Sequence, residues 1–380
     1  MELLSVTLRL LVGDYRHRDF SMFASVAVQE CARDILNRME NFFEMVWSHH
    51  DSISCPTADG SGSRLSLSVA PSVLKCVLSL TQIYHIEHGR VPRPTTPATN
   101  ILLYYWTYCP DPGADCIRIQ RYFSPLMGEI SQAERATLFH SLFTSREGCM
   151  LDFYKQVCKL AHDENIIGDS VQSLLILCTG SLCAFNSQRA VDIDLTGPDG
   201  LIYSLVGCCQ RQACTPSVSP KLLSDIRSFC MGTLLSLIRC GGDQAVLAFA
   251  ACAVELNYVG TLCFTVAGIV EAGDSSEFSK WTTLVHFVKG YGIWLLRERG
   301  DPVNRISVLK DTLWYRTFER VWYDTLRSLR TIQAQEAPQL ELKDKALEFW
   351  REYGNFLGLR EGTNAVFLET MRLRRVSPRT

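Results

Sequence analysis

The 380-residue chain lacks the short motifs that mark nucleotide and hydrolase sites. There is no Gly-x4-Gly-Lys-Ser/Thr phosphate loop, no Gly-x-Gly-x2-Gly turn and no Gly-x-Ser-x-Gly nucleophile elbow. A phosphate cradle needs closely spaced glycines whose N–H groups converge. Gly60-Ser-Gly62 sits instead in a polar stretch that reads as flexible chain. No Cys-x2-Cys pair occurs, so the paired thiolates of most structural zinc sites are missing. An excess of one charge is lacking too. The 38 Lys+Arg and 40 Asp+Glu leave a net charge of −2, which gives no field to draw nucleic acid or an acidic membrane. These absences weigh against catalysis without excluding it, because many sites have no local signature.

Long apolar runs are also short of what a bilayer demands. A spanning helix takes about 20 consecutive apolar residues. The most apolar stretch, Ala245–Val254 resuming at Tyr258–Val270, is interrupted by Glu255 and Asn257. Two buried helices with a break near Asn257 are expected there, and no membrane span. The N-terminal Met1–Val12 carries Glu2 and Arg9 where a secretory signal needs an apolar core, and no Asn-x-Ser/Thr acceptor occurs. Those features place the chain in the cytoplasm or nucleus, where its 16 cysteines stay reduced. Cys158, Cys178, Cys183, Cys230, Cys252 and Cys263 all fall inside apolar helical runs, where cysteine acts as a small hydrophobe.

Hydrophobic residues make up 47% and charged residues 21%, enough for a sizeable core. The first helix is expected over Ser21–His49, where Phe23, Val26, Cys31, Ile35, Met39, Phe42 and Val46 recur at three- and four-residue steps. A second is expected over Ala70–Glu87, with Pro71 in its first turn, and a dense apolar-aromatic one over Asn100–Tyr108. Ser131-Gln-Ala-Glu134 fits a capping box that opens a helix to Phe143. Further helices follow at Ser145–Ala161, Asp169–Phe185, Asp199–Arg211, Pro220–Cys240 (ended by Gly241-Gly242), Gln244–Leu256, Tyr258–Glu271, Ser276–Arg297, Val303–Gln335, Leu342–Leu357 and Asn364–Arg372. Cys116–Arg121 and Ala190–Leu195 are conceivable isolated strands. About a dozen helices with short connections describe an all-α protein, either an irregular armadillo/HEAT-like helical stack or a multi-helix bundle. No repeat is visible at 34 or 40 residues. The expected division is an N-terminal helical section, 1–116, with Pro/Gly/Ser-rich linkers at 51–66 and 89–99. A helical stack, 117–380, then ends in a short basic tail with Arg372, Arg374, Arg375 and Arg379.

The tightest cysteine cluster, Cys208, Cys209 and Cys214, is the one metal candidate. Adjacent helical residues point about 100° apart, so Cys208 and Cys209 do not naturally face one ion, and core thiols are the plainer reading. His85 and His88 share a helix face without a third ligand, and His49-His50 suits a helix C-terminus. Asp192 and Asp194 read as solvated loop acids. No cofactor is expected.

The richest segment is Val308–Ile332. Leu309, Leu313, Trp314, Phe318, Trp322, Leu326 and Leu329 form an apolar stripe, and Arg316, Glu319, Arg320, Asp324, Arg327 and Arg330 fill the remainder. Aromatic and Arg anchors dominate binding hot spots, which makes Trp314, Arg316, Phe318, Arg320 and Trp322 the partner-binding candidates. Inward packing on the next helix, with Leu347, Phe349, Trp350, Tyr353 and Phe356, is the competing and simpler role.

The run Leu309–Leu326, followed by Ala346-Leu-Glu-Phe-Trp350, resembles the C-terminal helices of large uncharacterised fungal proteins, some of which carry a MYND-type zinc finger after a long helical region. The likeness covers about 50 residues and contains no chemically specific motif. It implies a helical region of unknown activity. No cysteine follows Cys263, so the finger is not expected, and a short form of such a chain is. The expected function is a non-catalytic scaffold that binds a protein or peptide on a helical surface. The alternative is an enzyme with an inter-helix pocket that uses a thiol such as Cys149 or Cys214.

Overall fold

The computed structural model describes residues 26–50, 73–81, 84, 96–108, 114–182, 197, 199–298 and 309–359. Among them every regular element is a helix, and no strand occurs. The helices are α1 Val26–Ser48, α2 at residues 73–81, α3 Pro97–Thr107, α4 Ala114–Glu129, α5 Gln132–Ser145, α6 Cys149–His162 and α7 Asp169–Leu182. They continue with α8 Leu201–Ala213, α9 Pro220–Glu255, α10 Tyr258–Ala272, α11 Ser275–Glu298, α12 Leu313–Thr331 and α13 Ala337–Leu357.

Local chemistry explains most boundaries. The expected capping box opens α5: Ser131 accepts from the Glu134 N–H, and the Glu134 carboxylate accepts from the Ser131 N–H at 2.9 Å. Pro97 occupies the first turn of α3, so the helix starts inside the expected linker 89–99. Pro338 likewise sits in the first turn of α13, which begins earlier than the expected Leu342. Gly148 (φ 78°), rather than Ser145, separates α5 from α6. Cys116–Arg121 is helical, in α4, and not a strand: burial of Cys116, Ile119 and Phe123 at three- and four-residue spacing won over the short β-like run. The linker 51–66, the His85/His88 pair, Ala190–Leu195 with Asp192 and Asp194, and Asn364–Arg372 lie outside the described residues.

The chain divides into two compact units, Met1–Gly241 and Gly242–Thr380. The sequence places a division at 116/117, but that point falls inside the first unit, because α3 packs on α4, α5 and α6 across it. The break at 241/242 coincides with Gly242, whose φ of 59° and ψ of −146° interrupt α9. By length and composition α9 is the one described helix able to cross a membrane. Every 18-residue stretch of it with no more than two charged residues contains Arg239, the Gly242 break and Asp243.

In the first unit α6 and α7 form an antiparallel hairpin, tied by the Tyr154 and Ser181 hydroxyls at 3.0 Å. α8 and the first arm of α9 form the next, with Cys230 against the Leu205 carbonyl at 3.9 Å. The second helices of these two hairpins run in the same direction. Gly168 lies against Leu222 at their starts, and one turn from the end of α7 the Thr179 and Thr233 hydroxyls meet at 2.6 Å. The second unit repeats the arrangement with α10–α11 and α12–α13. α10 runs alongside α12, with Asn257 meeting Arg320 and Cys263 meeting Thr325. α11 runs alongside α13, with Trp281 on Phe349 and Lys289 over Phe356.

Candidate functional site

The sequence's partner-binding stripe lies on α12, whose start is fixed by Thr312: its hydroxyl accepts from the Tyr315 N–H at 3.1 Å. From that start the helix turns Trp314, Phe318 and Trp322 inward, each about 1% exposed. Three of the five candidates are therefore core, not surface. Their indoles find partners inside the unit. Trp322 Nε1 donates to the Trp350 carbonyl at 2.8 Å, and Trp350 Nε1 donates back to the Trp322 carbonyl at 2.9 Å. Trp314 Nε1 donates to the Val288 carbonyl at 2.9 Å, and Trp281 Nε1 to the Leu262 carbonyl at 2.8 Å. A helical carbonyl has a second lone pair beyond its i+4 bond, so an indole can dock on it without breaking the helix. Buried Trp needs such a partner.

Glycine makes room for two of these rings. A Cβ at Gly354 would stand 2.3 Å from Trp322, and one at Gly292 would stand 2.3 Å from Trp314. Leu313, expected in the apolar stripe, is 58% exposed instead; Tyr315, Val321 and Thr325 take buried places. Phe318 meets Tyr353 at 4.8 Å with the rings tilted by 41°, and Tyr353 stacks parallel to Trp350 at 5.6 Å.

Arg316 and Arg320 remain outside, with Glu319, Asp324 and Arg327. Arg320 Nη2 donates to Asn257 Oδ1 at 2.7 Å, which ties mid-α12 to the left-handed residue (φ 56°) that starts α10. Asp324 and Arg327 stand 4.0 Å apart at the exposed surface, where such pairs contribute little. The exposed half of the stripe is thus polar, and the apolar half is spent on the core.

The cysteine candidates do not converge. Cys208 and Cys209 are buried in α8, and Cys214 is exposed at its C-terminal cap. Among the described residues no group of three or more His, Cys, Asp or Glu side chains is placed to hold a metal ion. His49 and His50 do what a helix end favours, each placing Nδ1 on a last-turn carbonyl, of Met45 and Trp47 respectively.

Among the described residues of the first unit, one set of titratable side chains left no local signal, because its members are scattered along the sequence. His50 stacks on Trp47 at 4.3 Å and meets Tyr104 edge-on at 4.6 Å. Tyr104 touches Tyr108 at 4.7 Å, and Arg146 lies 5.4 Å over the Tyr108 ring. Cys149, beside Tyr108, opens α6. A helix N-terminus ordinarily lowers a thiol's pKa, but burial dominates here and pushes Cys149 up. Burial also pushes the Tyr108 phenol far above its usual range. Both groups stay protonated at neutral pH, so the cluster holds hydrogen-bond donors and not an activated nucleophile.

Elsewhere burial pushes Cys208 and Cys263 up to about 12, and Cys178 and Cys252 further still. A maleimide is therefore expected to label Cys214 in the native protein, and Cys149, Cys178, Cys208 and Cys263 only after denaturation. Peptide mapping of the labelled protein reads this directly. Native labelling of Cys149 as fast as Cys214 would restore the thiol-dependent enzyme reading.

Set against known proteins, the chain finds no counterpart: no protein-family model, no curated protein and no solved structure matches it.

Proposed function

We propose that the protein is a non-catalytic scaffold, an irregular armadillo/HEAT-like stack of helical hairpins that binds another protein or a peptide. One observation carries the reading. In both units successive hairpins pack with like helices running together, α7 beside α9, α10 beside α12 and α11 beside α13. Hairpins stacked this way bury their facing sides in one another and leave extended outer faces as a consequence.

The exposed face of α12 is where partner contact is placed, now through Arg316 and Arg320 and without the buried aromatics. Arg327 extends the same face, and Phe264 on neighbouring α10 is 58% exposed and level with it in the register. Unbridged thiols at Cys149, Cys178, Cys208, Cys252 and Cys263 support a reducing compartment, the cytoplasm or nucleus. The charged, broken centre of α9 supports a core helix over a membrane span.

Affinity capture from the source cell, with wild type and an R316E/R327E variant compared at moderate salt, tests the reading. The expected result is a near-stoichiometric partner with wild type that is lost with the variant while the melting temperature is unchanged. A partner retained by the variant moves the contact off α12. A partnerless monomer under the same conditions removes the scaffold reading altogether.

A further inference from the structure

We propose that the outer face shared by α10 and α12 binds an acidic segment of a partner protein, one that carries an apolar side chain beside its carboxylates. This rests on the scaffold reading above and names the chemistry of the partner. Arg316, Arg320, Tyr323 and Arg327 follow one another at four-, three- and four-residue steps, so they form a single line along α12. The three arginines are exposed, and Tyr323 is half-buried with its ring edge-on to Trp322 at 4.7 Å. At the α-helical rise the line is about 16 Å long. Glu319 and Asp324 lie off it by about 70°, one on each flank. Along the chain these charges alternate in sign, and only the turn of the helix gathers the cations into a row.

The row keeps its charge. Arg320 donates to a neutral group, Asn257 Oδ1 at 2.7 Å. Arg327 stands 4.0 Å from Asp324 with both side chains more than half exposed, a pairing that water largely screens. The Asn257 contact also fixes what lies beside the row. Phe264 and Gly268, seven and eleven residues after Asn257, continue its exposed line along α10. α10 and α12 run together, Cys263 meeting Thr325, which sets Phe264 level with Arg327. Phe264 is 58% exposed, and nothing stands within 4 Å of where a Cβ on Gly268 would lie.

The complement of such a face is anionic with an apolar anchor. Guanidinium forks take carboxylates in charge-assisted pairs, and Arg and Tyr are the residue types that dominate binding hot spots. The chain as a whole has a net charge of −2, so the attraction belongs to this face and not to a global field.

Fluorescence anisotropy of a labelled peptide of repeating Glu-Glu-Leu, with a Lys-Lys-Leu counterpart as control, tests this on the full chain. Wild type is expected to bind the acidic peptide and not the basic one, less tightly as salt rises. R316E/R327E should weaken that binding about tenfold. F264A should weaken it too, with the melting temperature unchanged. No binding by wild type, or equal binding by R316E/R327E, overturns the proposal. So does a single-stranded DNA oligonucleotide that binds as tightly as the peptide, since negative charge alone would then suffice. The capture experiment separates this outcome from the fate of the scaffold. A partner captured through α12, with no binding of the acidic peptide, overturns the acidic assignment and leaves the scaffold standing. A chain without any partner removes the scaffold reading and this proposal with it.

Discussion

Trp322→Ala is expected to unfold the second unit at markedly lower denaturant, with a loss of about 3–5 kcal/mol. The indole is fully enclosed, and its removal leaves a cavity that helical backbones on either side cannot close. It also strips the Trp350 carbonyl of its side-chain partner. Trp350 and Trp322 hold each other's helices through reciprocal bonds, so the two residues should not act independently. A cycle of W322F, W350F and the double variant isolates the coupling, expected at about 0.5–3 kcal/mol for residues in one hydrogen-bond network. Urea titrations followed by tryptophan fluorescence and far-UV circular dichroism give each corner. Strict additivity would reduce the clasp to two separate packing contributions.

Gly354→Ala should also destabilise, although the same change in a free helix stabilises by about 0.5–1 kcal/mol. Gly268 serves as the control. It lies exposed on α10 with nothing within 4 Å of where a Cβ would go, so G268A is expected to show that gain. At Gly354 the new methyl meets Trp322 ring atoms at 2.3 Å and 2.5 Å. The ring cannot swing aside, because its Nε1 is bonded to the Trp350 carbonyl and Tyr323 abuts it edge-on at 4.7 Å. Overpacking of this kind costs about 1–3 kcal/mol, which outweighs the helix-propensity gain. Opposite signs for the two Gly→Ala changes, read as shifts in melting temperature, are the expected outcome. A stabilised G354A would mean that α12 and α13 can separate slightly at no cost.

Much of the fold was legible because it depends on local rules. The Ser131–Glu134 capping box, the prolines of first turns and the apolar periodicity of α1, α7 and α10 each act within a few residues of chain. Misplaced boundaries share a cause as well. Pro97 falls in the expected linker 89–99 and Pro338 in the gap between the helices expected over Val303–Gln335 and Leu342–Leu357, yet each begins a helix, and the choice depends on what the following residues bury. α4 was hidden because Pro125 and the β-branched Ile117 and Ile119 weaken its helical signal, and packing against α7 overrides that preference.

The candidate site was less legible for a different reason. Periodicity on α12 established that Trp314, Phe318 and Trp322 share a face, but a shared face is equally suited to a partner and to a neighbouring helix. Nothing local distinguishes them. The decision came from Gly354 and Gly292, glycines elsewhere in the chain that let α13 and α11 approach closely enough for the indoles to reach backbone carbonyls.

The sequence by itself therefore determined the all-helical character of the described chain, where many of its helices begin, and the absence of a run of charge of one sign large enough to steer a partner. These follow from propensity, capping and composition, which act over a turn or two. The tertiary structure alone decided which aromatic face is core, where the two units divide, which hairpins run together, and which polar side chains are sealed inside. Those outcomes depend on contacts between residues tens of positions apart, and no local pattern records them.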